Sequence, residues 1–395
     1  DNIWVELVRI AHRQFGWQEN KPNAVTATRY YRLFNTTEIN QICVKKFGVT
    51  IKEIFQCGLA LLGAFLSRPI IQEDYFRAFA QVTERQIDTN SFVKLICKTD
   101  RELRAILKKE QRYDSQFAFA YNSLRAFPLV RLSNGESDTF MCPLPTLLFW
   151  RFTAGLYYEL VSEENFGHLF GQSVQKYVGD LAVNAFQRDT VTILPEHEYV
   201  MGKKRKDSAD WIILDQKAAL FIECKSKRLS WDTKTNIEDT KPLEKDITQV
   251  ATAIAQLYKT IGDYTEGRYS NLAYDENLRV YPVLVTLESL HFFGPLILNK
   301  IKAAVVEKLA EAGLGENLLT DMPYSICSMT DLEGSFSFMN KVGVSDFMDQ
   351  KFSDPETSDW SFNSYTSHRI GTIRPRENLF PESYQEIFVG LSLGL

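Results

Sequence analysis

The sequence predicts an α/β fold, a mixed sheet flanked by helices and preceded by a mainly helical N-terminal region. Three observations carry this. Residues 1 to about 160 repeat their apolar positions at helical spacing and hold few strand signals, whereas from about 160 to 335 the pattern runs helix, strands, helix, strand, helix, strand. Length is the third: 395 residues exceed most single domains and allow two cores. The expected division is a helical region over 1–160, a regulatory or targeting part, then an α/β domain over 161–335. A C-terminal extension over 336–395 is expected to pack on that domain.

Each element has its own signal. "RELRAILKKEQR" (101–112) and "TLLFWRFTAGLYYELV" (146–161) read as helices, and "SNGESD" (133–138) with "CPLP" (142–145) marks a loop between them. In "GQSVQKYVGDLAV" (171–183), Val174, Tyr177, Val178 and Leu181 form one stripe. "SADWIILDQKAALFIECKSKR" (208–228) reads as two strands joined by a turn near 215–217. "DITQVATAIAQLYKTI" (246–261) is a helix, with Asp246 and Gln249 forming a capping-box start. "RVYPVLVTL" (279–287) is a β-branched run suited to a strand covered on both faces. "LILNKIKAAVVEKLAEAG" (296–313) is a helix closed by glycine, "YSICSMTDL" (324–332) the last strand candidate, and "FSDPETSDW" (352–360) a loop.

Composition narrows the function classes. At 45% hydrophobic and 24% charged the chain is ordinary globular, and its net charge of −5 means that any nucleic-acid surface must be a local basic patch. The six cysteines show no CxxC pair and the five histidines no HExxH-like cluster, which argues against zinc chemistry and for reduced thiols in a cytoplasmic protein. The most apolar window, 54–66, is too short to span a bilayer, and the opening residues show no signal-peptide pattern, so no membrane partner is expected. The segment "INQICVKKFGVTIKEIFQCGLAL" (39–61) has a helix-turn-helix look around Gly48, but its second helix is apolar nearly all round. A recognition helix needs a polar outer face, so this segment reads as core.

The 208–228 hairpin raises the functional question. Strand side chains alternate, so Glu223 and Lys225 share a face while Cys224 points away, and antiparallel pairing brings Asp210 beside them. Two carboxylates and an ammonium at one sheet end must satisfy one another or bind something. Paired carboxylates suit Mg²⁺ (or Mn²⁺), which keeps waters for substrate to displace, and a nearby lysine suits phosphoryl charge or an attacking water. The bland alternative is a structural salt bridge at a strand end. Glu196 and Glu198, on the preceding strand, could donate another carboxylate to the site, though exposed surface is the first reading for both. The basic run Lys203, Lys204, Arg205 and Lys206 before the hairpin, with Lys227 and Arg228 after it, reads either as solvated surface or as a track for a phosphate backbone.

The pattern Asp210, twelve residues, then Glu223-Cys224-Lys225 resembles the PD-(D/E)XK nuclease superfamily, whose fold is restriction-endonuclease-like. The helix "GQSVQKYVGDL" is similar to the family's preceding helix, with Gln175 where glutamate is common, and Ala209 stands where proline is frequent. The resemblance covers about 160–335. It implies a metal-dependent nuclease in which Asp210, Glu223 and the carbonyl of Cys224 hold Mg²⁺. Lys225 would serve water and phosphate, and Gln175 would join the cluster. By the same analogy the substrate is DNA before RNA, and the setting restriction, repair or anti-phage defence. Cutting both strands of a duplex calls for paired sites, hence a homodimer or larger complex. The rivals are a catalytically inactive nucleic-acid-binding module and a scaffold whose helical region does the work.

Overall fold

Short, well-capped helices open the unit that residues 13–173 form with 380–395. Asn23, Thr36 and Thr50 each accept a hydrogen bond from a first-turn amide of the helices Ala24–Phe34, Thr37–Phe47 and Ile51–Ser67. Between the last two, Gly48 takes φ 77°, the left-handed geometry that ends a helix at glycine. The Ile51–Ser67 helix buries Ile54, Phe55, Leu61 and Phe65. Its Gly58 lies so close to the Phe152 ring that a Cβ would fall 2.4 Å from it. The helix-turn-helix look is therefore core packing. Among the described residues no single helix is long and apolar enough to cross a membrane. The computed structural model describes residues 3, 6–8, 10–11, 21–81, 89–111, 113–114, 122–133, 138–226, 228–230, 233–234, 240–292, 294–371 and 377–391.

This unit is less helical than expected. It holds a four-stranded sheet of β1 (Ile70–Gln72), β2 (Cys97–Thr99), β3 (Leu129–Ser133) and β4 (Asp138–Met141), ordered β1-β4-β3-β2. Strands of three to five residues are too short for an alternating pattern to stand out. The helix expected over 146–161 breaks into Pro145–Phe152 and Leu156–Leu160. At the break, Thr153 bonds its hydroxyl to the carbonyl of Phe149 at 2.6 Å, and a Cβ on Gly155 would meet the Trp150 ring at 2.7 Å.

The other unit comprises 1–12 and 174–379, so the division falls at Ser173–Val174 and not at 160, and the expected 336–395 extension is split between the units. Its sheet is mixed, ordered β11-β10-β9-β8-β5, from β5 (Thr192–Pro195), β8 (Trp211–Leu214), β9 (Ala218–Lys225), β10 (Arg279–Thr286) and β11 (Ser325–Ser328). β5, β8 and β9 pair antiparallel, whereas β9, β10 and β11 run parallel. β10 sits between two parallel neighbours with all residues but Arg279 buried, as its apolar run predicted. A separate ribbon, β6 (Glu198–Met201) and β7 (Lys204–Asp207), stands between β5 and β8 in the chain.

Helices cover both faces. The Phe166–Ala185 helix lies on Trp211, where a Cβ on Gly179 would fall 1.9 Å from the indole, so only glycine permits this approach. The Lys241–Thr265 helix covers the opposite face, where Leu257, Ile261 and Tyr264 pack on Ile212, Ala219 and Phe221. It begins at Lys241, which corrects the capping box read at Asp246. Asp246 lies inside the helix, buried, and accepts from the Ser230 amide at 2.8 Å and the Thr233 hydroxyl at 2.7 Å. β11 ends at Ser328, whose side chain caps the next helix, Met329–Val342, so the last strand candidate is half strand and half helix. "FSDPETSDW" contains the short helix Pro355–Ser358.

Candidate active site

Strand register builds the site. The last ladder pair of β8 and β9 is Trp211 with Ile222, and that of β5 and β8 is Pro195 with Trp211. One residue further, Glu196, Asp210 and Glu223 stand in a row across three neighbouring strands, about 4.8 Å between strands. Two bonds fix the row: the Glu196 amide donates to the Asp210 carbonyl at 2.8 Å, and the Cys224 amide donates to Asp210 Oδ2 at 2.6 Å. Lys225 Nζ donates to Glu223 Oε1 at 2.6 Å. Asp210, Glu223 and Lys225 are thus brought together as the hairpin predicts.

Charge is out of balance here. Burial first, then the Glu223 carboxylate, push the Asp210 carboxyl up to about 7; the Cys224 amide opposes this and Glu196 adds to it. Burial alone would lower the Lys225 pKa, but Glu223 and then Asp210 more than offset that, so the ammonium stands above its ordinary value. The Cys224 thiol is raised well above the usual range by burial and by both acids. It is no nucleophile, because the thiolate is the reactive form. Three carboxylates against one ammonium leave net negative charge in a half-buried place, which a divalent cation would offset. Among the described residues no group of three or more His, Cys, Asp or Glu is gathered closely enough to hold a metal by itself. Mg²⁺ seldom needs such a cage, since one or two carboxylates plus waters and substrate phosphate usually hold it. The residues fit that mode.

No protein-family model, curated protein or solved structure matches this chain. The site must therefore be read from its own chemistry.

Gln175 does not reach Asp210 or Glu223 directly. Its Nε2 donates to Glu196 Oε2 at 3.0 Å, and its backbone carbonyl accepts from the Trp211 indole at 2.8 Å. Glu196, read from sequence as a surface residue, is exposed yet belongs to the carboxylate row. It links Gln175 to the cluster. Gln175→Glu should place a fourth carboxylate against Glu196, tightening Mg²⁺ binding in a calorimetric titration and lowering the melting point without metal. Gln175→Leu should weaken Mg²⁺ binding. About two- to fivefold is expected in each direction, the size of an exposed charge pair. Unchanged affinity in both variants would remove Glu196 and Gln175 from the site.

The basic residues separate into two groups. Lys203 and Lys204 are exposed at the turn of the β6–β7 ribbon, where Gly202 takes φ 64°. Arg205 pairs with Glu198 at 3.2 Å, and Lys206 with Asp263 at 2.7 Å. Arg228 departs from expectation: it is buried and ion-paired to Glu288 at 3.2 Å, so it braces the chain after β9 instead of facing a phosphate backbone. Lys227 lies outside the described residues. Asp246 holds the same stretch through Ser230 and Thr233, and so steadies the segment that leaves Lys225.

Proposed function

We propose that the 174–379 unit is a metal-dependent nuclease of the restriction-endonuclease-like kind, hydrolysing phosphodiester bonds with DNA as the favoured substrate. The observation that carries this reading is the row Glu196, Asp210 and Glu223 across three strand ends, with Lys225 bonded to the last of them. The order of helix, antiparallel strands, helix and parallel strand around it is the order that the PD-(D/E)XK resemblance implies. In this reading Asp210, Glu223 and the carbonyl of Cys224 hold Mg²⁺ or Mn²⁺, with Glu196 and Gln175 beside them. The metal, when bound, supplies Lewis-acid stabilisation of the phosphoryl oxygens and a more acidic water.

The chain's own groups do the rest. Lys225, kept protonated by its carboxylate neighbours, places positive charge where the phosphoryl group becomes more negative. The Cys224 amide keeps one Asp210 oxygen fixed. Asp246 and Glu288 hold the segment beyond Lys225, which fixes where the lysine sits. The test is incubation with supercoiled plasmid, linear duplex, single-stranded DNA and RNA, with Mg²⁺, Mn²⁺ or EDTA. Cleavage of at least one DNA form that EDTA abolishes is the expected result. Binding without cleavage under every metal condition would assign the same cluster to a binding module.

A further inference from the structure

Asp210 has a second set of fastenings, in the two residues before it. Ser208 closes against His197: its amide donates to the His197 carbonyl at 3.0 Å, and its hydroxyl accepts from the His197 amide at 3.0 Å. The same hydroxyl donates to the Ala209 carbonyl at 3.0 Å. That leaves the Ala209 N–H, in a residue with no exposed surface. β8 begins only at Trp211, so this amide lies outside the strand ladder. It donates to the phenol oxygen of Tyr269, whose own proton goes to the Thr260 carbonyl at 3.0 Å. Tyr269 follows the Lys241–Thr265 helix, where Gly267, at φ 71°, turns the chain and the Arg268 amide bonds the Asp263 carbonyl at 3.0 Å. Burial first, then Tyr199, raise the phenol above its usual range, so it keeps the proton that Thr260 receives.

The Tyr269 ring is buried and meets His197 and Tyr199 at 4.9 Å and Tyr264 at 5.8 Å. Phenylalanine would fill that space as well. The hydroxyl is what packing does not require, and it reaches a backbone donor adjoining Asp210. We infer that Tyr269 is a positioning residue of the metal site: by accepting the Ala209 amide it fixes the backbone from which the Asp210 carboxylate projects beside Glu223. This role rests on the nuclease reading above and adds one residue to it. A buried N–H that loses its acceptor must move to find another or stay unsatisfied, and either outcome loosens the residue next in the chain. Metal ligands depend on such outer partners, whose removal typically costs about 10–100-fold in affinity. Proline at 209 separates this role from packing, since it carries no N–H and needs no acceptor. Among the described residues other than glycine, only Asn165 and His291 take a positive φ, so Ala209 has the sign of φ that proline adopts. In Tyr269→Phe the missing phenol oxygen leaves room for the pyrrolidine ring.

The experiment is calorimetric titration of the full chain with Mg²⁺, without nucleic acid, alongside exchange of the Ala209 amide proton followed by NMR. It compares wild type with Tyr269→Phe, Tyr264→Phe and the double variant Tyr269→Phe/Ala209→Pro. Tyr264→Phe is the control, because that hydroxyl sits in the same aromatic cluster but accepts from the Asp275 amide, at 3.3 Å. Tyr269→Phe should bind Mg²⁺ about tenfold more weakly and exchange the Ala209 proton roughly five- to tenfold faster, the size of one lost hydrogen bond. Tyr264→Phe should lower the melting point and change neither quantity. The double variant should regain wild-type Mg²⁺ affinity. With saturating Mg²⁺, Tyr269→Phe should cleave about tenfold more slowly at unchanged KM, as a misplaced group does. Wild-type affinity and exchange in Tyr269→Phe, equal losses in Tyr264→Phe, or a folded double variant without recovery would each overturn the assignment. If the double variant does not fold, amide exchange in the two single variants decides. A wild-type chain that binds no Mg²⁺ defeats the nuclease reading, and the exchange comparison still tells whether Tyr269 holds the Ala209 amide.

Discussion

Asp210→Ala and Glu223→Ala should lose cleavage and bind Mg²⁺ measurably more weakly, while Lys225→Ala should lose cleavage with Mg²⁺ still bound. The asymmetry follows from the geometry. Asp210 and Glu223 are opposed oxygen donors one step beyond the Trp211–Ile222 pair, whereas Lys225 is a cation bonded to Glu223 at 2.6 Å. Removing the lysine frees a carboxylate for the metal but withdraws the positive charge that meets the phosphoryl group. A lost electrostatic partner of this kind costs about 10²–10³ in rate. Single-turnover assays with saturating Mg²⁺ and calorimetric titrations separate the two effects, and circular dichroism checks folding. Wild-type rates in all three variants would sink the assignment. A Lys225→Ala protein that no longer binds metal would show that the lysine is structural.

The second large effect concerns stability. Asp210→Asn should raise the melting point of the metal-free protein at pH 8 by a few degrees and leave it unchanged near pH 3. The Asp210 carboxyl is raised to about 7 by burial and then by Glu223, while in the unfolded chain it titrates near the ordinary value of about 4. Between those two values the folded state keeps a proton that the unfolded state has released. Stability therefore falls as pH rises through that window, and the loss is complete above about 7. Asparagine removes the titration and keeps an oxygen for the Cys224 amide. Adding Mg²⁺ should reverse the order, since only the charged site gains from the cation. Equal melting points at pH 8 would mean that the Asp210 charge is already compensated. Because metal and proton compete for Asp210, Mg²⁺ affinity should also drop as pH is lowered through 7.

The core of the site was legible because it rests on period-two alternation within one hairpin. Once "DQK" is read as a turn, Asp210, Glu223 and Lys225 must meet. Glu196 could be named from sequence as a further carboxylate but not placed. Its place depends on β5 pairing with β8 across the ten-residue β6–β7 ribbon, and a sequence read segment by segment carries no register between strands so separated. Asp246 misled because an acid three residues before a glutamine matches a helix start, yet its partners, Ser230 and Thr233, come from another segment. Arg228 misled for the related reason that a basic residue near a motif suggests surface, while its acid, Glu288, lies 60 residues on in the chain. The short strands of the 13–173 unit were hidden by their length. The buried β10 and the helices around it, whose apolar spacing extends over two turns or more, could be read directly.

The exchange of chain ends between the two units bears on how the protein emerges from the ribosome. The Ala24–Phe34 helix is made well before its partner, the Pro381–Phe388 helix, which follows some 350 residues later: Tyr31 donates to Glu386 at 3.0 Å, and Gln56 to the carbonyl of Ile387 at 2.8 Å. At synthesis rates of about 5–20 residues per second, that wait is roughly 20–70 s. During it, Tyr31 lacks the acceptor it will use and the apolar ground around it is uncovered. The 13–173 segment thus waits for the 380–395 segment, and its unit is completed only after the whole 174–379 segment has been synthesised.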